Sequence, residues 1–199
     1  MQKRCRYTCK DDDDDEEEDE VFVKFISPNT IYYRGEIREP EASKFCIKLR
    51  KAASKLSTSN LPITVFLSSH GGDVYAGISM YEHICMVKDS VPIHVVADGY
   101  VASAATLPLL AATKRIMCRN ATFLVHAVTS YAWGGYKPKQ LKEECDNQTT
   151  IMNILVSMYE KHCTMKKKEL KRLLDKDQLL TFDQCMEHGF IDGDRMLLT

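Results

Sequence analysis

Three residue types able to carry out acyl transfer sit in small-residue or strand-end contexts in this 199-residue chain. Ser103 is flanked by Ala102 and Ala104, shortly after Gly99. Small neighbours let a substrate backbone approach, and a place at the start of an apolar helix sets the hydroxyl beside free N–H groups and the positive end of the helix dipole. A serine there is equally able to act as a helix N-cap. His126 closes the apolar run ATFLV, where a titratable ring is costly unless paired. A neutral imidazole can take a proton from a serine hydroxyl while its other nitrogen donates to a carboxylate; a structural histidine leaves the same signature. Asp177 and Asp175 both lie in LLDKDQLLTFDQC, and either can cap a helix or supply that carboxylate. Local spacing does not choose between them. Gly71-Gly72 follows a strand-like run and precedes a helical one, so its amides can face an oxyanion with no Cβ in the way, or simply make a tight turn.

The elements that must hold these residues follow from hydrophobic spacing. VFVKFI and TIYYRG read as strands separated by the turn signal Ser27-Pro28-Asn29. Ala42, Phe45, Cys46, Leu49, Ala52, Ala53 and Leu56 recur at helical spacing after Pro40. ITVFL (63–67) predicts a strand, and a second helix carries Val74, Ile78, Tyr81, Ile84 and Cys85. PIHVVAD (92–98) repeats the theme, with Gly99 leading into VASAATLPLLAA, an apolar helix with no polar face and therefore buried. Residues 115–118 and 121–126 read as short strands, followed by a long helix through Leu141, Ile151, Leu155 and Met158 and a shorter one at 170–174. Strands alternating with amphipathic helices predict an α/β domain whose central strands are parallel, with ligands at the carboxyl ends of the strands. The glycines and Ser103 lie at those ends.

Composition narrows the function classes. Residues 11–20 are all acidic, and the remainder from 21 onwards carries 18 acidic and 23 basic side chains without a basic stripe, which argues against nucleic-acid binding. Residues 1–20 have almost nothing to bury and are expected to be disordered. No stretch is long and apolar enough for a membrane span, and the eight cysteines are scattered singly, which predicts free thiols in a reducing, cytoplasmic setting. Cys5 and Cys9 lack a second ligand pair at zinc spacing, so no metal is expected. No phosphate-binding loop is present, which agrees with an expectation of no cofactor.

Taken together, LSSHGGDVYAGISMYEHI, DGYVASAATLPLLAA, FLVHA and DKDQLLTFDQCMEHGFID resemble the proteolytic subunit of the Clp protease, in order, from about Thr30 to Leu198. The resemblance implies a crotonase-like α/β head with a protruding handle (about 129–163), within one peptidase domain over 21–199. It implies a serine endopeptidase with Ser103 as nucleophile, His126 as base and Asp177, not Asp175, as the orienting acid. The backbone N–H groups of Gly72 and Ala104 would then form the oxyanion hole. It also implies two stacked heptameric rings around a chamber, unfolded-polypeptide substrates, and an AAA+ unfoldase as partner, docking near Thr64, Phe66, Met86 and Met117. His70 stands where the family usually has proline, and Ala127-Val128 where it has Gln-Pro. Two other functions share the fold: a non-catalytic ring subunit beside an active paralogue, and a crotonase-type acyl-CoA enzyme.

Overall fold

The computed structural model describes residues 22–59, 61–129, 135 and 137–198. The acidic segment 1–20 therefore lies outside the described residues, as does most of 129–136. The first two strands, β1 (Phe22–Ser27) and β2 (Thr30–Arg34), form an antiparallel hairpin across the Pro28-Asn29 turn. From β2 onward the sheet is parallel: β3 (Ile63–Ser69) lies beside β2, β4 (Ile93–Ala102) beside β3, and β5 (Lys114–Met117) and β6 (Thr122–Leu124) both pair with β4. Parallel neighbours need crossovers. These are α1 (Glu39–Leu56) between β2 and β3, α2 (Val74–Val87) between β3 and β4, and α3 (Thr106–Ala111) before β5.

Each crossover forms for a local reason. Pro40 sits in the first turn of α1, where its missing N–H costs nothing. The stripe Ala42, Phe45, Cys46, Leu49, Ala52 and Ala53 is buried as the spacing predicts. Asp73 caps α2, its carboxylate accepting from the N–H groups of Tyr75 at 2.7 Å and Ala76 at 2.9 Å. Every residue of α3 is buried, in keeping with its lack of a polar face.

One boundary differs from the sequence reading. The helix expected over 101–112 begins later, because β4 runs through Gly99 to Ala102 and is followed by a 3-10 turn, Ser103–Ala105. The pairing Leu67↔Ala97 is followed by Ser69↔Val101, so two steps on β3 face four on β4. This bulge bends β4 and hands it from β5 to β6. Gly99 lies inside it because a Cβ there would come 2.7 Å from the Ser68 Oγ. Close approach explains the glycine, not a strand stop. After the turn that carries Asp177 comes α6 (Phe182–Glu187), whose capping box joins Thr181 and Gln184.

The C-terminal half closes the head. Only the last turns of α4 (Pro138–Glu160) are buried, at Leu155, Val156, Met158 and Tyr159, leaving the rest of this long helix outside the core. After it come α5 (Lys167–Leu174) and α6. Phe190 stacks on Phe123 of β6 with centroids 5.1 Å apart, and Tyr159 meets Phe190 edge-on at 6.3 Å. Arg115 ties the chain end to the sheet by donating to the carbonyls of His162 at 2.6 Å and Gly189 at 2.8 Å.

This packing makes stability depend on pH. The His162 ring lies 2.7 Å from the Tyr81 hydroxyl and is pushed down to about 4, first by burial and then by the Arg115 charge. An unfolded chain takes up this proton near pH ~6.5, so below that pH the unfolded state binds a proton that the native state refuses. The contribution is present above that pH and is lost as pH falls towards 4. The thermal midpoint should drop between pH 7 and pH 5, and drop less steeply in His162→Gln. Equal slopes in the two proteins would remove His162 as the cause.

Candidate active site

The two strands that carry Ser103 and His126 lie side by side and end together. In the parallel ladder Ala102 of β4 pairs with Leu124 of β6, so Ser103 follows directly on one strand and His126 lies two residues past the end of the other. Both side chains are half-buried and line one cleft of about 510 Å³.

Ser103 has an unusual backbone. Among the described non-glycine residues it alone has a positive φ, at 53°. A left-handed residue other than glycine costs on the order of 1–3 kcal/mol and persists only where its surroundings enforce it. Here the strand β4 turns into the 3-10 turn, and the Ser103 Oγ caps nothing. The N-cap reading open in the sequence is therefore not realised, and the hydroxyl is left for the cleft.

Gly71 makes room for this turn. A Cβ on Gly71 would lie 2.5 Å from the Ser103 Cβ and 2.8 Å from the Ala102 carbonyl oxygen, and its φ is +100°. Gly77 of α2 does the same for the next residue, where a Cβ would lie 2.8 Å from the Ala104 carbonyl oxygen.

Two amides beside this region are left without an internal acceptor. The Gly71 carbonyl accepts from Ile37 N–H at 2.7 Å, and Asp73 N–H donates to the Ile37 carbonyl at 2.8 Å. In a trans peptide the N–H lies opposite the C=O, so the Gly72 N–H, which shares its peptide with the Gly71 carbonyl, faces away from Ile37. The Ala104 N–H belongs to the first turn of the 3-10 segment, where no intrahelical acceptor exists. Neither amide donates to another described residue, and both residues line the cleft.

Asp177 is placed nearby but not joined. Ala127 N–H donates to the Leu174 carbonyl at 2.8 Å, while Phe123 and Leu180 exchange hydrogen bonds of 3.1 and 2.7 Å. Residues 175–179 therefore form a loop held at both ends against the segment that carries His126. The Asp177 side chain is exposed, and no hydrogen bond or ion pair joins it to His126 in this structure, nor His126 to Ser103. Asp175 is the C-cap residue of α5 and lines a separate groove with Cys145 and Lys171.

The Clp protease family model matches residues 13–193. The chain belongs to the Clp protease family. It is 30% identical over 176 residues to the ATP-dependent Clp protease proteolytic subunit 2 of Treponema denticola, covering 87% of this chain and 84% of that protein. It is 31% identical over 175 residues to the protein of the same name in Treponema pallidum, with 86% and 84% covered. A ClpP1 mutant from Listeria monocytogenes has the same fold, with a TM-score of 0.75 at 23% identity over 86% of this chain and 95% of that one. The crotonase-like ClpP fold expected from the sequence is thus established.

Within this Clp protease chain, the cleft holds residues that sequence spacing did not single out. Its floor includes Leu107, Leu155 and Tyr159, and one side is formed by the polar residues Asn147, Gln148 and Thr150 of α4. These had no local signal, since an exposed polar helix face looks the same whether or not it borders a cleft. Among the described residues no three His, Cys, Asp or Glu side chains group to hold a metal ion. No described helix is long and apolar enough to cross a membrane. The six described cysteines are free.

Proposed function

We propose that this chain is a serine endopeptidase subunit that cleaves unfolded polypeptides inside an oligomeric chamber. The observation that carries this reading is the strained Ser103 in a cleft it shares with His126. In the proposed reaction the Ser103 Oγ attacks a peptide carbonyl carbon as His126 takes the hydroxyl proton. The Gly72 and Ala104 N–H groups receive the oxyanion, as their lack of internal partners and their place in the cleft support. Collapse of the tetrahedral species breaks the C–N bond, and His126 returns its proton to the leaving amine. Water then attacks the acyl-serine ester by the same route and frees the carboxylic acid.

Asp177 is the proposed orienting acid. Its loop is held beside His126, and catalytic hydrogen bonds are often long in the free enzyme and tighten when substrate binds. Asp177→Asn should lower hydrolysis at least ~100-fold, while Asp175→Asn leaves it near normal. The reverse pattern in peptide-hydrolysis assays transfers the role to Asp175.

The proposed assembly is a pair of stacked heptameric rings, with α4 in the handle between rings. The exposed apolar side chains Ile47, Leu61, Met86 and Ile154 support burial between copies. The relatives are named ATP-dependent, which supports an AAA+ unfoldase as partner. At the docking positions, Met117 is fully buried, Thr64 and Phe66 are half-buried and Met86 is exposed, so Met86 is the most accessible side chain there. The six free thiols among the described residues support a cytoplasmic location.

A fluorophosphonate probe tests the reading directly. Wild-type protein should be labelled on one serine and Ser103→Ala should not. No labelling of assembled wild-type protein favours the second reading, a non-catalytic ring subunit, which the exposed and unbonded Asp177 supports.

A further inference from the structure

The strain at Ser103 needs a counterweight. Its carbonyl oxygen receives two donors from one residue: the Thr106 backbone N–H and the Thr106 Oγ1, the latter at 2.6 Å. The hydroxyl of Thr106 lies in turn 2.5 Å from the hydroxyl of Tyr159, which comes from the far end of α4. Because the Thr106 proton is spent on the Ser103 carbonyl, the Tyr159 hydroxyl is the donor in the second bond. Burial pushes Tyr159 up to about 12, so it remains a protonated donor.

We propose that Thr106 and Tyr159 form a hydrogen-bonded strut that holds Ser103 in its left-handed conformation, which makes both of them positioning residues for the nucleophile. The inference rests on the reading of Ser103 as the nucleophile.

A threonine that bonds back to a carbonyl three residues earlier is common at helix starts and by itself means little. Three features set this one apart. The acceptor is the carbonyl of the strained residue. Thr106 has no exposed surface and Tyr159 is 3% exposed, so a deleted hydroxyl leaves its partner without water to replace it. The tyrosine ring is itself fixed, edge-on to Phe190, which stacks on Phe123 of the strand leading to His126. One packed unit therefore sets the backbone of Ser103 and supports the strand that delivers the imidazole. Linked donors also polarise one another, which strengthens the bond to the carbonyl.

The test uses the assembled full-length chain and short fluorogenic peptides. Thr106→Val keeps the shape and removes the hydroxyl, and Tyr159→Phe removes only the outer donor. Each should lower kcat about tenfold with KM within about twofold, since a small displacement of a reacting group acts on the chemical step. The rate of fluorophosphonate labelling should fall by the same factor, and Thr106→Ser should restore both. Both substitutions act through one carbonyl, so the double variant should lose about tenfold and not a hundredfold. The strut is overturned if both single variants keep kcat within twofold, if KM alone rises, or if the losses multiply. Should Thr106→Val not fold, Tyr159→Phe carries the decision. Ser103→Ala is run alongside: retained hydrolysis there defeats the nucleophile assignment, whereas its loss beside normal Thr106 and Tyr159 variants defeats the strut alone.

Discussion

Ser103→Ala is expected to lower peptide hydrolysis by about four orders of magnitude or more, and His126→Ala by a similar amount, because nucleophile and base act as a unit. Alanine also removes no packing of consequence, since the Ser103 Oγ caps nothing and faces the cleft. The variant should therefore fold and assemble like the parent, with an unchanged or slightly altered thermal midpoint. The double variant should lose no more than either single one. Rates within tenfold of the parent in Ser103→Ala would assign the chemistry elsewhere. A multiplicative loss in the double variant would mean that the two side chains work independently, contrary to the proposed proton transfer between them.

Gly71→Ala is expected to cost about a hundredfold in kcat/KM, although residue 71 has no proposed chemical role. The new Cβ would sit 2.5 Å from the Ser103 Cβ, closer than non-bonded carbons approach, at a φ of +100° that alanine adopts only under strain. Either the 71–72 turn or Ser103 must move. In the first case the Gly72 N–H is redirected, and losing one oxyanion donor typically costs about 10²–10³ in rate. In the second the hydroxyl is displaced, and a shift of ~1 Å costs about 10². Gly189→Ala separates this effect from simple destabilisation. Gly189 also has a positive φ, +75°, and a Cβ there would meet Thr164 at 3.0 Å, but it does not line the cleft. Gly189→Ala should lower the thermal midpoint with kcat/KM near normal. Equal catalytic losses in the two variants would reduce the Gly71 effect to stability.

Much of the fold was legible because it is written in short-range periodicity. The buried stripe of α1 and the apolar runs of β3 and β4 specify their elements without help from distant parts of the chain. The helix expected from Val101 shows where that reasoning stops. Val101 and Ala102 suit a buried strand as well as a buried helix. Pairing of Val101 with Phe123 and Ala102 with Leu124, twenty-two residues away, decided for strand. α6 is a different case, since Thr181 and Gln184 form a capping box that is legible locally.

The sequence by itself determined that this is an α/β chain with glycines at strand ends, and resemblance in four stretches determined its Clp protease family. The same resemblance singled out Ser103 and His126, whose local contexts alone left a helix cap and a structural histidine open. Only the tertiary structure decided that these two share a cleft, that Gly71 stands in for a side chain the turn cannot hold, and that Thr106 and Tyr159 back the strained serine. The physical reason is that those relations are contacts between segments tens of residues apart. They depend on a bulge that bends β4 and on parallel registers that no local pattern encodes.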